Sequence, residues 1–246
     1  MKVAAVVVSH RQPEELSGSL PALRAQVDEL VVIANVPGSV LPGIDALHNE
    51  HPLGFAANVN RGIARTTAEL VLSANPDATP APGAVAALRD FMQEHPRCGI
   101  AGPRMLYVDG SWQPSRRRFP TVSGTLVRRT PLRLVLRQRR HYHLDEVPPE
   151  EPVEADWMLG GFLMLRRAML DDIGGFDEGF RLYGEDIDLA YRAARAGWER
   201  WYVPEAVVRH EHKAETDKHW LTRYTLWHWA GVLRFVRKHP ERLRAL

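Results

Sequence analysis

Residues 2–9 read KVAAVVVS, residues 29–34 read ELVVIA and residues 69–73 read ELVLS. Each is a short apolar run rich in β-branched residues. None shows the polar alternation of a half-solvated strand, so each predicts a strand buried on both faces. Between the first two, Pro13–Gln26 carries Leu16, Leu20 and Leu23 at helical spacing. Pro37, Gly38, Pro42 and Gly43 punctuate the loop after the second. Phe55–Arg65 reads as a helix before the third run, and the amphipathic Gly83–Glu94 (GAVAALRDFMQE) as another after it, followed by a short strand near Gly99–Ala101. Strands alternating with helices predict an α/β fold with a mixed, mostly parallel central sheet flanked by helices. Further along, Asp156–Arg166 (DWMLGGFLMLR) predicts one strand, antiparallel in that sheet. Glu185–Ala196 predicts a helix ended by Gly197. Arg200–Val203 and Ala206–Arg209 predict two short strands around Pro204, and Thr216–Lys238 an aromatic-rich helix. No internal repeat and no clear linker divides the 246 residues, which reads as one domain over 1–246.

The composition, 45% hydrophobic and 25% charged, is that of an ordinary globular protein and excludes disorder, collagen and coiled coil for the whole chain. The single cysteine, Cys98, excludes a disulfide framework and Cys-based zinc sites, and suits a reducing compartment. The longest apolar run near the start, Val3–Val8, is too short for a signal-peptide core or a bilayer span. The formal charge of +2 hides a local imbalance: Gly110–Leu144 holds nine arginines and no acidic residue. Such a block marks either a solvated loop or a binding face for phosphate, nucleic acid or anionic lipid. Within it, LVRRTPLRLVLRQRR (126–140) interleaves Leu and Val with Arg, the pattern of a membrane-surface helix, although Pro131 confines any helix to its later part. No base-stacking, zinc-finger or RNA-recognition signature accompanies it, so nucleic acid is not the expected partner.

Ligands of open α/β sheets bind beyond the carboxyl ends of the strands. Polar residues stand there at Ser9-His10, at Asn35 and at Asn75-Pro76-Asp77. A carboxylate at Asp77 could hold a hard divalent ion through oxygen, or simply close an Asx turn. Glu185 and Asp186, with Asp188 behind them, open a helix after Gly184. The helix dipole favours acids there, and adjacent carboxylates can equally present a general base. His210 and His212 in VVRHEH fall on one side of an extended chain, where they can hold a metal or a diphosphate, or be an ordinary surface pair. An oxygen-rich site with at most one imidazole suits Mg²⁺ or Mn²⁺. The aromatic C-terminal segment, with Trp220, Trp227, Trp229 and Phe235, can pack on the core, form a homodimer face or touch membrane.

The order of these features resembles the family 2 glycosyltransferases, and within them the rhamnosyltransferase-like branch. The resemblance runs from about Val3 to His212 and is carried by VVVSHRQPEEL, LGFAANVNRGI, LSANPDA, GPRMLYVDGSWQPSRRRFP, GGFLMLRRAML, IGGFDEGFRLYGEDIDLAYRAARAGW and YVPEAVVRH. It implies a GT-A (Rossmann-like) fold and inverting transfer of one sugar from a nucleoside diphosphate sugar, by resemblance dTDP-rhamnose, to a glycan or lipid-linked sugar acceptor. It divides the chain into a nucleotide-binding half (about 1–108), the basic insertion (about 110–150), an acceptor and catalytic half (about 151–212) and a C-terminal helical segment (about 213–246). It makes Asp186 the base with Glu185 beside it, and Asp77 and His210 the metal residues. Ser9, Asn35, Asn58, Arg61, Asn75, Asp77, Gly160 and Gly161 fall to the nucleotide sugar, and Arg117 and Trp157 to acceptor or phosphate. The implied location is cytoplasmic, with peripheral contact between the basic segment and an anionic membrane at the inner face of the cell membrane. Two departures stand out. Ala34 replaces the expected acid after the second strand, and Asn75 replaces the first Asp of an Asp-any-Asp motif. They motivate the alternative of an inactive homologue that binds nucleotide sugar or a partner without transfer. The Gln-any-any-Arg-Trp motif of processive synthases is absent, and the loop after the first strand, SHRQPEEL, lacks the Gly-rich pattern of a sugar-nucleotide pyrophosphorylase.

Overall fold

The computed structural model describes residues 1–120, 147–211 and 223–243. The chain begins β1 (Val3–Ser9), α1 (Pro13–Arg24), β2 (Glu29–Ala34), β3 (Leu47–His48), α2 (Phe55–Ile63) and β4 (Leu70–Ala74). It continues β5 (Ala78–Pro80), α3 (Ala84–Glu94), β6 (Cys98–Leu106), β7 (Trp112–Gln113) and β8 (Arg116–Arg117). Beyond the basic segment come β9 (Val153–Glu154), β10 (Trp157–Met158), β11 (Phe162–Arg166), α4 (Arg167–Ile173), α5 (Glu185–Arg195) and β12 (Glu199–His210). Helix α6 (Arg223–Lys238) and a 3-10 turn at Pro240–Leu243 close the described part.

The main sheet runs β3-β2-β1-β4-β11-β6-β12-β5, with β7 paired to β6 and β9 to β12. β2, β1 and β4 are parallel, as are β6 and β12, while β11 runs antiparallel between β4 and β6. The chain steps outward from β1 to β2 and β3, then returns to β4 on the other side of β1. That reversal brings the carboxyl ends of β1 and β4 side by side, the place where such sheets bind ligands. It sets Ser9 and Asn75–Asp77 on one rim.

All seven residues of β1 are buried, and they alternate between two cores. Val3, Ala5 and Val7 pack with Leu16 and Leu23 of α1 and Leu88 and Met92 of α3. Val6 and Val8 pack with Val59 of α2, Met169 and Leu170 of α4, and Leu189 and Ala193 of α5. Helices thus cover both faces, which is why the β1, β2 and β4 sequences are apolar without alternation.

Three expectations need correction. Asp156–Arg166 is not one strand, because Gly160–Gly161 turns the chain between β10 and β11; only β11 joins the main sheet, and β10 pairs with β8. The two strands expected around Pro204 are one 12-residue strand, β12, whose register against β6 shifts between Val203 and Val207. That bulge absorbs the proline without breaking the pairing. The strand expected near Gly99–Ala101 extends over Cys98–Leu106. Residues 121–146, His212 and Trp220 lie outside the described residues, and with them most of the basic block and the start of the C-terminal segment. Helix α6 packs on the core through Phe235, against Phe180 and Tyr191.

Candidate active site

Antiparallel pairing of β5 with β12 sets Ala78 opposite His210 and so brings the end of the fold's last described strand beside the loop after β4. His210 Nε2 lies 3.4 Å from Asp77 Oδ1 and 3.4 Å from Asn75 Nδ2. On the other edge of the ring, Nδ1 lies 3.1 Å from Gln113 Oε1 of β7. A glutamine oxygen can only accept, so Nδ1 donates in that contact and the Nε2 edge of the ring faces Asp77. Both side chains are almost enclosed, with 6% and 10% of their surface exposed, so a cation between them would meet little competing water.

The Gly160–Gly161 turn forms the next part of the site. Gly161 accepts a hydrogen bond from the Asn75 N–H at 2.8 Å. A Cβ at Gly161 would stand 3.1 Å from His210 Nε2, closer than a side chain is normally tolerated. Gly160 donates its N–H to Asp186 Oδ2 at 3.2 Å, while Asp186 Oδ1 accepts from the Ile187 N–H at 2.8 Å. Asp186 is therefore held at both oxygens by backbone. Its pKa is pushed up by burial, partly offset by those hydrogen bonds and by the positive charge of Arg117. Glu185 is pushed up by burial and by the Asp186 charge, and its buried Oε2 has no hydrogen-bond partner among the described residues. The left-handed pair Tyr183 (φ 71°) and Gly184 (φ 97°) turns the chain into α5 just before these carboxylates. For a tyrosine that backbone is strained, and such strain clusters where function dictates geometry.

Asn75, Asp77, His210, Gly161, Gly160 and Asp186 thus form one continuous line. The remaining candidates form a second group around β1 and β2. Ser9 Oγ donates to the Ser39 carbonyl at 2.5 Å and is fully buried. Asn35 is saturated: Oδ1 accepts from Asn49 Nδ2 and Leu53 N, and Nδ2 reaches His10 and the Leu53 carbonyl. Asn58 accepts from Asn49 and donates to the Gly54 carbonyl, and Arg61 donates to Asn49 Oδ1. These side chains clamp the Asn49–Gly54 loop. Just after the loop, the Phe55 N–H donates to the Arg181 carbonyl at 3.1 Å. Arg117 sits on β8 opposite Trp157. Trp157 is a core residue, 3% exposed, whose indole N–H donates to the Arg118 carbonyl; it supports the arginine strand from beneath.

Three contributors were not legible as site residues in the sequence: Gln113, Asn49 and Tyr183. Nothing in SWQPS marks Gln113 as the partner of a histidine 97 residues away.

Residues 27–230 match the model of glycosyltransferase-like family 2, most of the chain. The chain belongs to that family. It is 37% identical over 194 residues to an N-acetylglucosaminyl-diphospho-decaprenol L-rhamnosyltransferase of Mycobacterium tuberculosis, a match that covers 71% of this chain and 61% of that protein. This family 2 chain therefore spans about three-fifths of the length of that relative. Among solved structures it superposes on GalNAc-T7 with UDP, GalNAc and Mn²⁺ at a TM-score of 0.66, with 15% identity, covering 96% of this chain and 48% of the other. A mannosyltransferase of Pyrobaculum calidifontis in complex with GDP-Man and Mn²⁺ superposes at 0.59, with 16% identity, over 95% of this chain and 64% of that one. The expected GT-A fold is therefore the fold observed. Among the described residues no helix is long and apolar enough to cross a membrane.

Proposed function

We propose that this chain is an inverting glycosyltransferase that moves one sugar from a nucleoside diphosphate sugar to a hydroxyl of a glycan or lipid-linked sugar. Rhamnose from dTDP-rhamnose is the proposed donor, because the 37% identical relative is a rhamnosyltransferase whose name carries a diphospho-decaprenol acceptor. The observation that carries the reading is the placing of Asp186 and the Asp77–His210 pair at either side of the Gly160–Gly161 turn.

Single displacement needs one base at the acceptor and charge stabilisation at the leaving diphosphate, on opposite sides of the reacting carbon. Asp186 takes the proton of the acceptor hydroxyl as its oxygen bonds to the sugar carbon and the bond to the diphosphate breaks. The Gly160 and Ile187 amides hold both oxygens of that carboxylate, so little reorientation is needed at reaction. Burial makes Asp186 a stronger base than an ordinary aspartate while leaving it ionisable near neutral pH. Asp77 and His210 would hold Mg²⁺ or Mn²⁺, which supplies charge neutralisation for the diphosphate. The donor set fits: one carboxylate and one imidazole facing each other, the imidazole turned by Gln113. Among the described residues no group of three or more His, Cys, Asp or Glu side chains gathers at a metal site. Two protein ligands would leave coordination positions for donor phosphate oxygens. The same reading takes residues 1–246 as one domain. It has the Arg-rich segment meeting an anionic membrane at its cytoplasmic face, where a lipid-linked acceptor lies.

The test is thermal melting with dTDP-, UDP- and GDP-sugars, each with and without Mn²⁺. A ligand at about 100 times its dissociation constant adds roughly 2.7 kcal/mol. A Mn²⁺-dependent shift with dTDP-rhamnose that disappears in Asp77→Ala is expected. No shift with any nucleotide sugar, in folded protein, overturns the reading in favour of a homologue that has lost donor binding.

A further inference from the structure

Helix α6 presents one stripe to the catalytic half: Gly231, Arg234, Phe235, Lys238 and the following His239, spaced as neighbours on a single helical face. Together they meet residues on both sides of Glu185–Asp186. A Cβ at Gly231 would collide with the Tyr183 carbonyl oxygen, so the helix backbone lies directly against the left-handed Tyr183–Gly184 pair. Arg234 lies over the Phe180 ring at 5.3 Å, occupies the space a Gly179 side chain would need, and donates to Asp177 Oδ1 at 2.7 Å. Lys238 bridges Asp177 (2.8 Å) and Asp188 (3.0 Å). His239 donates to the other oxygen of Asp188 at 2.8 Å, and Asp188 is completely buried in the first turn of α5.

We propose that α6 is the strut that positions the catalytic carboxylate, with Gly231 and Asp177 as positioning residues. Tyr183 pays a conformational cost to stay left-handed, so something must hold it there. On one side of the segment the Phe55 N–H donates to the Arg181 carbonyl at 3.1 Å. On the other, α6 presses on the Tyr183 carbonyl and is tied by ion pairs at both ends of the Asp177–Asp188 stretch. If α6 moves, Tyr183 relaxes, α5 shifts at its first turn, and Asp186 leaves the Gly160 N–H.

The inference rests on Asp186 being the base, but its first test does not. Hydrogen exchange is followed in wild type, Gly231→Ala and Asp177→Asn. Peptides over 180–190 are expected to exchange at least tenfold faster in both variants, with β1 and β4 unchanged. Kinetics then follow under the conditions in which wild type turns over. kcat is expected to fall at least tenfold in Gly231→Ala and severalfold in Asp177→Asn, with donor KM and the donor-induced melting shift within twofold of wild type. Unchanged exchange at 180–190 in the folded variants overturns the proposal. So does faster exchange with unaltered kcat, or a loss of kcat matched by an equal loss of donor affinity. Should Gly231→Ala fail to fold, Asp177→Asn at the half-buried end of the strut decides alone. A wild type that binds and transfers no sugar fails the functional reading and leaves the exchange result standing.

Discussion

Asp186 stands in the first turn of α5, where the helix dipole favours an ionised carboxylate by roughly 0.3–1 kcal/mol. Its pKa is nevertheless raised, so desolvation outweighs the dipole, and Glu185 is raised too, by burial and by the Asp186 charge. The sign follows from linkage. A carboxyl whose folded pKa lies above its unfolded value binds more protons in the native state, so its full stability is present below the unfolded value and is lost as pH rises through the folded one. Glu185→Gln should therefore gain on wild type above that range, by about 1.4 kcal/mol for each unit of displacement, and match it near pH 4. Urea denaturation at both pH values checks this, and an equal difference at the two would refute it. For catalysis, Asp186→Asn should keep the donor-induced melting shift and lose roughly 10²–10⁴ in kcat. The acid limb of wild-type kcat should lie above the range of an ordinary aspartate. Gln113→Leu removes the acceptor that fixes His210, and outer partners of metal-binding histidines typically contribute about 10–100-fold in affinity. Mn²⁺ titration in the presence of dTDP should show a loss of that size with His210 intact. Asp77, Asp186 and His210 could be picked out of the sequence as candidates because each stands at a strand end or opens a helix. Gln113 and Asn49 could not, since their partners are set by tertiary pairing alone.

At the scale of elements, the sequence spoke clearly where one periodicity ran uninterrupted. β2 was expected at Glu29–Ala34 and is found there, and α1, α2, α3 and α5 begin within about two residues of expectation. It misled where glycine or proline interrupted an apolar run. In DWMLGGFLMLR the glycines break the strand to let Asn75, His210 and Asp186 approach, whereas Pro204 breaks nothing because a bulge takes it up. Both outcomes depend on the neighbouring strand, which local sequence does not contain. The junction of α2 with β1 gives a test of packing at this scale. Gly62 is a poor helix residue, and alanine would gain about 0.5–1 kcal/mol from propensity. Yet a Cβ at Gly62 would overlap Val6 Cγ1 on a fully buried strand, and overpacking costs typically 1–3 kcal/mol. The clash should win, so Gly62→Ala should lower stability by about 1 kcal/mol or more in urea. Val6→Ala, which removes both γ-methyls, should reverse the sign of the Gly62→Ala effect in a double-mutant cycle. A stabilising Gly62→Ala in the Val6 background would show that α2 lies farther from β1.

Across the whole molecule, charge is distributed so that one segment opposes the rest. The nine arginines of Gly110–Leu144 account for more than the entire formal charge of +2; the other 23 basic residues face 30 acidic ones, leaving the remainder of the chain at −7. An anionic bilayer would repel that remainder and attract the arginine segment, and each Lys or Arg near such a surface contributes about 1 kcal/mol. With several arginines engaged, the attraction would suffice for peripheral binding and would turn the arginine segment toward the lipid. β8 carries two of these arginines and pairs with β10 at Trp157, so orientation by this segment would also orient the Asp186 side of the candidate site. Screening sets the test, because the Debye length falls from about 10 Å at 0.1 M salt to about 3 Å at 1 M. Binding to phosphatidylserine-containing vesicles should be clear at low salt and lost at high salt. Changing Arg128, Arg129, Arg133, Arg137, Arg139 and Arg140 to Gln should abolish it while leaving the dTDP-rhamnose melting shift intact. Vesicle binding that survives either the salt or the six substitutions would move the membrane contact away from the arginine segment, to the exposed face of α6 around Leu233.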